Sequence, residues 1–122
     1  MTLQILAVDD SFTMRELLRQ VLSDAGFIVE VAEDGQHAVE RLPDIDPDVI
    51  VTDLNMPRMD GFGLIEAIRN GPHCSRKPIL VLTTESAEPL KQRARSAGAN
   101  GWIVKPFDEA ALVSAIKRVA AW

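Results

Sequence analysis

The sequence predicts an α/β protein: a doubly wound parallel sheet of five strands in the order 2-1-3-4-5, with five helices. Three observations carry that prediction. Short β-branched runs alternate with helical patterns at a spacing of roughly 25 residues, as βα units do. The first, third and fourth runs are almost unbroken Ile, Val and Leu, the composition of central parallel strands covered on both faces. Right-handed crossovers then leave few topologies for strict alternation.

In chain order, the first strand is QILAV, Gln4 to Val8. Thr13 and Glu16 have the spacing of a capping box ahead of Leu17, Leu18, Val21 and Leu22, and Gly26 stops that helix. The second strand, Ile28 to Ala32, carries Glu30 among apolar residues, the alternation of an edge. The second helix runs from about Gly35 to Leu42 and is ended by Pro43. Asp48 to Thr52 forms the third strand. MPRMDGFG follows as a loop in which Pro57 and Asp60-Gly61 punctuate the turn into a helix carrying Phe62, Leu64, Ile65 and Ile68, closed at Asn70-Gly71. Pro78 to Thr83 is the fourth strand. The fourth helix starts between Ser86 and Pro89, with proline in its first turn, and stops at Gly98. Trp102 to Val104 is the last strand, and Asp108 caps a final helix that buries Leu112, Val113, Ile116 and Val119.

Composition bounds what such a chain can do. Its 122 residues suit one domain, 1–122, with no output domain attached. At 47% apolar and 25% charged it is a folding rather than a disordered composition. No apolar run nears the roughly 20 residues of a membrane span, so we expect no membrane insertion and a cytoplasmic location. Cys74 is the only cysteine and cannot form an internal disulfide. Residues 1–60 hold 13 acidic and four basic side chains, residues 61–122 five acidic and nine basic. Lys91, Arg93, Arg95, Lys117 and Arg118 are spread along helices instead of forming a dense patch with aromatic platforms, so nucleic acid is not expected as a partner. The basic tilt suits an acidic docking segment.

In doubly wound sheets the working site lies beyond the carboxyl ends of the strands. Those ends read Asp9 and Asp10, then Asp53, then Thr83 and Thr84, then Lys105. Three carboxylates brought together repel one another and call for a cation. An all-oxygen donor set with no His or Cys favours Mg²⁺, and His37 and His73 fall away from the cluster. Asp53, on the middle strand, is placed to attack a phosphoryl group and form an acyl phosphate. Mg²⁺ on Asp10 and Asp53, the Lys105 ammonium and the Thr83 hydroxyl would hold the phosphoryl oxygens, since phosphoryl transfer depends on positioning and charge neutralisation.

AVDDS, VTDLNMPRMDG, LVLTTES and WIVKPF together resemble the receiver domains of two-component response regulators, across essentially the whole chain. The similarity is greatest to the stand-alone, CheY-like kind found in bacterial chemotaxis. The resemblance implies that Asp53 is the phosphoacceptor, that Asp10, Asp53 and the Asn55 backbone carbonyl ligate Mg²⁺, and that Asp9 acts on it through water. It makes Thr83 the switch hydroxyl, Lys105 the phosphoryl contact before a cis proline bond, and Trp102 the rotameric switch aromatic. Asn55 and Glu85 occupy the positions that tune acyl-phosphate hydrolysis. A histidine kinase is the implied donor, and a downstream target such as a motor switch component is the implied reader, at a face built from the fourth helix, fifth strand and fifth helix. The implied molecule is a monomeric switch rather than an enzyme.

Two positions depart from the family pattern: Thr84 stands where Ala or Gly is common, and Trp102 where Tyr or Phe is usual. Met56, Arg58 and Met59 flank the acidic cluster as candidate kinase contacts. A Mg²⁺-dependent phosphatase of haloacid dehalogenase type would use a similar aspartate, but wants Asp-x-Asp where this chain has Asp9-Asp10-Ser11. A flavin module on the same fold would need a Ser/Thr/Gly-rich phosphate cradle, which the loop after Asp10 lacks.

Overall fold

A computed structural model describes residues 2–121. Strands β1 (Gln4–Val8), β2 (Ile28–Ala32), β3 (Val49–Thr52), β4 (Ile79–Thr83) and β5 (Gly101–Val104) alternate with helices α1 (Phe12–Asp24), α2 (Gly35–Ile45), α3 (Gly61–Asn70), α4 (Glu88–Ala97) and α5 (Glu109–Ala120). All pairings are parallel and the sheet order is β2-β1-β3-β4-β5, as the sequence predicts.

Side chains on successive strand residues point to opposite faces, so each central strand feeds two cores. Leu6, Val8, Ile50, Ile79 and Val81 pack with Leu42 of α2, with Leu64, Ile65 and Ile68 of α3, and with Ala94 of α4. Ile5, Ala7, Val49, Val51, Leu80 and Leu82 face Leu18, Val21 and Leu22 of α1 and Leu112, Ile116 and Val119 of α5. This two-sided burial explains why the central strands read as unbroken apolar runs. Each fully buried Leu or Ile contributes on the order of 1.5–3 kcal/mol.

The helix termini hold two corrections. The cap of α1 is Ser11, whose hydroxyl accepts the Met14 N–H, and the Thr13/Glu16 box is not used. The chain must turn into helix immediately after Asp10 for Leu18, Val21 and Leu22 to reach the sheet, and Ser11 is the residue at that turn. Nor does Pro43 end α2. The helix continues to Ile45 and closes at Asp46, which takes a left-handed conformation and donates its N–H to Leu42 O. Ala38, Leu42 and Ile45 form one buried stripe, and burying Ile45 offsets the hydrogen bond that Pro43 cannot make. The Asp34, Asp60 and Asp108 carboxylates cap α2, α3 and α5, and α4 has no side-chain cap.

Register sets the site. Val8 of β1 pairs with Thr52 of β3, so the residues that follow, Asp9 and Asp53, emerge side by side. On the other flank Thr83 pairs with Val104, which brings Lys105 out next to the end of β4.

Candidate functional site

Backbone ladders continue one residue past the strands and fix where the polar groups start. Asp9 N–H donates to Ala32 O at 3.1 Å, Asp53 N–H to Val8 O at 3.0 Å and Lys105 N–H to Thr83 O at 2.8 Å. From these anchors Asp9, Asp10 and Asp53 bring carboxylate oxygens within 4.8 Å of one another. Asp9 is buried, Asp53 half-buried and Asp10 exposed.

Lys105 reaches across the cleft. Its Nζ donates to Asp9 Oδ2 at 2.6 Å and to Asp53 Oδ2 at 2.9 Å. Burial pulls the pKa of this ammonium down, but the hydrogen bonds and charges of the two carboxylates outweigh that and hold it above its usual value. The Lys105–Pro106 peptide is cis. One ammonium facing three carboxylates leaves a site that is still formally anionic, open at Asp10, and lined by oxygen donors. That donor set fits a hard divalent cation better than a transition metal.

Two backbone contacts that the sequence did not announce stiffen the acidic pair. Ser11 N–H donates to Asp9 Oδ1 at 2.9 Å, and Arg15 Nη1 donates to Asp9 O at 2.7 Å. The second oxygen of Asp53 is engaged too, accepting the Leu54 N–H.

The remaining predicted residues converge on Glu85. Its N–H donates to Thr83 Oγ1 at 3.4 Å, its carboxylate accepts from Asn55 Nδ2 at 3.4 Å, and its carbonyl accepts from Trp102 Nε1 at 3.1 Å. The first two are long, weak bonds, and the indole bond is of ordinary length. Thr83 is the last residue of β4, where the sequence places the strand's end, and is fully buried. Thr84, next along, is exposed. Trp102 is half-buried on the wall of a groove of about 320 Å³ between α4 and β5, whose rim holds Lys91 and Arg95.

Arg58 is engaged within the molecule, although about half of its side chain, 52%, stays exposed. It folds back onto Asp34, with Nε 2.8 Å from Oδ2 and Nη2 3.0 Å from Oδ1. Met56 and Met59 likewise pack partly into the core.

Residues 5–117 match the response regulator receiver domain family. The chain belongs to that family. It is 39% identical to chemotaxis protein CheY-3 of Vibrio cholerae over 96% of this chain and 91% of that protein. Among solved structures, the receiver domain superposes on chemotaxis protein CheY4 of Vibrio cholerae with a TM-score of 0.92 and 41% identity, covering 98% of this chain and 99% of the other. It also superposes, at a TM-score of 0.91 and 27% identity over the whole of both chains, on the receiver domain of a sensor histidine kinase from Pseudomonas aeruginosa that holds a magnesium ion in its active-site cleft. This receiver domain is therefore a homologue of the CheY chemotaxis regulators and a phosphorylation-controlled signalling switch. Receiver domains of this kind work between histidine kinases and downstream targets. Among the described residues no helix is long and apolar enough to cross a membrane.

Proposed function

We propose that Asp53 is the phosphoacceptor of a Mg²⁺-dependent switch that takes its phosphoryl group from a histidine kinase, in a chemotaxis or motility pathway of the cytoplasm. The observation that carries this reading is the position of Lys105 Nζ, 2.6 Å from Asp9 and 2.9 Å from Asp53. A cation shared by the acceptor and a neighbouring carboxylate is poised to transfer its contact to a phosphoryl oxygen once Asp53 carries the acyl phosphate.

A carboxylate oxygen of Asp53 attacks phosphorus, the P–N bond of a phosphohistidine breaks, and its electron pair leaves on the imidazole nitrogen, which takes up a proton. Asp10, Asp53 and the Asn55 carbonyl would hold Mg²⁺, with Asp9 acting through water; bound there, the ion neutralises charge on the phosphoryl oxygens. Lys105 contributes the second positive charge. Thr83 offers its hydroxyl from the end of β4, and Asn55 and Glu85, already in contact, flank the approach of a hydrolytic water.

Trp102 would report the state. Its indole N–H is tied to the Glu85 carbonyl in the loop that follows Thr83, so a shift of Thr83 toward the phosphoryl group disturbs that bond. The output face is α4, β5 and α5, where Lys91 and Arg95 beside Trp102 suit an acidic target segment such as one from a motor switch component. A ligand-driven switch of this kind needs a target that binds the two states unequally.

Intact mass after incubation with acetyl phosphate and Mg²⁺ tests the assignment. One labile phosphoryl adduct is expected, absent from Asp53→Asn and absent with chelator. An adduct that persists in Asp53→Asn overturns the assignment of the acceptor.

A further inference from the structure

We propose that Arg58 is a positioning residue for the cation site: its fork on Asp34 fixes the β3–α3 loop that presents Asn55 beside Asp10 and Asp53. The inference rests on the Mg²⁺ reading above, and its own observations lie outside that site.

Arg58 sits at φ 64°, in the left-handed region that non-glycine residues enter at a cost of roughly 1–2 kcal/mol. Something must hold it there. The guanidinium makes a two-pronged bond to Asp34, a carboxylate that is 3% exposed and 24 residues earlier in the chain. Planar, paired bonds of this kind fix orientation as well as distance. Asp34 is held in turn, because its Oδ1 also accepts the His37 N–H at the start of α2. Arg58 keeps the Asp34 carboxyl below its ordinary pKa, so the pair is ionised at neutral pH.

A second tie runs alongside. Gly35 N–H donates to Met59 O at 3.1 Å, an approach so close that a Cβ on Gly35 would lie 2.6 Å from that oxygen. At the far end of the loop, Gly61 N–H returns to Leu54 O at 2.8 Å. Residues 54–61 are thus pinned at both ends, and among the described residues Arg58 is the only one of them that makes an ion pair to another element. Asn55 is exposed, and its one side-chain hydrogen bond among the described residues, to Glu85, is long. Its placement depends on the loop more than on its own contacts.

Groups one step removed from a metal site typically change affinity by about 10–100-fold when lost. Isothermal titration with Mg²⁺ alone, together with thermal unfolding, tests the role in three variants. Arg58→Ala should raise the Mg²⁺ Kd by about tenfold. Asp34→Asn, which keeps an acceptor for the His37 N–H but not the ionic fork, should do the same and serves as the folded counterpart if Arg58→Ala unfolds. Arg58→Lys, with one compact donor, should recover part of the affinity. Combining Arg58→Ala with Asp34→Asn should add little to either alone, since both remove one interaction.

Unchanged Mg²⁺ affinity in Arg58→Ala and Asp34→Asn, with wild-type affinity intact and only the unfolding temperature lowered, overturns the proposal and leaves the fork a stability element. Absence of Mg²⁺ binding by the wild type is a different failure, because it removes the reading on which the proposal stands.

Discussion

Lys105 illustrates how one side chain can both hold a site and compete for it. Its ammonium occupies the space between Asp9 and Asp53 and is itself only 10% exposed. A unit charge about 4 Å from another interacts by about 4 kcal/mol at an effective dielectric of 20. Removing it should therefore make the cluster a better cation site and a worse phosphoryl acceptor. Lys105→Ala is expected to bind Mg²⁺ at least about tenfold more tightly, equivalent to about 1.4 kcal/mol and a modest fraction of that interaction. The same variant should accumulate the acetyl phosphate adduct more slowly, because the charge on the transferred group loses its partner. Titration calorimetry and timed intact-mass measurements read the two effects separately. Weaker Mg²⁺ binding in Lys105→Ala would show that the ammonium organises the carboxylates rather than competing for them. From sequence alone, Lys105 was legible as the cation of the site, since a lysine at the end of an apolar strand invites an anionic neighbour. That Asp9 would share it was not, because which carboxylate a flexible four-carbon stem reaches is decided by the register of β1 against β3 and by Ser11 and Arg15 holding Asp9.

Among the elements, α4 is the least secured. Only Ala94 is buried along its ten residues, and its N-cap, Ala87, offers no side-chain acceptor. The other four helices each have a Ser or Asp cap. Beside Ala94, its lateral ties include Arg93 stacked 4.0 Å over the Phe62 ring and the partly buried Leu90 and Ala97. A helix held by so little apolar area opens at low free energy. Amide exchange is expected to be fastest in α4 among the helices, and Ala87→Asp should slow it and stabilise the fold by about 1 kcal/mol, as a restored N-cap does. Exchange in α4 as slow as in α3 would contradict this. The same reasoning explains where the sequence misled at helix ends. Thr13-x-x-Glu16 has the right spacing for a cap, and Pro43 is a strong stop signal, yet both are local cues. The buried stripes of Leu18, Val21 and Leu22, and of Ala38, Leu42 and Ile45, set the true boundaries through packing.

For the whole molecule, topology was readable because alternation, chirality and two-sided burial leave almost one solution, and the site followed from the rule that strand ends converge. The cross-links between distant loops were not readable, and Arg69 is the largest of them. At the opposite end of the sheet from Asp53, its guanidinium donates to Ser75 O, Lys77 O and Gly98 O and to Asn100 Oδ1. Asn100 Oδ1 also accepts the Ile79 N–H, so one network joins the end of α3, the start of β4 and the turn before β5. Burial pulls the Arg69 pKa down, but the carbonyls around it solvate the charge that remains. Nothing in the sequence near Arg69 foretells this, because its partners lie six to 31 residues away. Arg69→Ala leaves several carbonyls without a donor and should cost roughly 3 kcal/mol in urea unfolding. The phosphorylation rate per folded molecule and the Mg²⁺ affinity should stay at wild-type values, since no bond in this network reaches the strand ends that carry the site. A drop in Mg²⁺ affinity in fully folded Arg69→Ala would mean that the two ends of the sheet are coupled through β4, and would make Arg69 part of the switch rather than part of its frame.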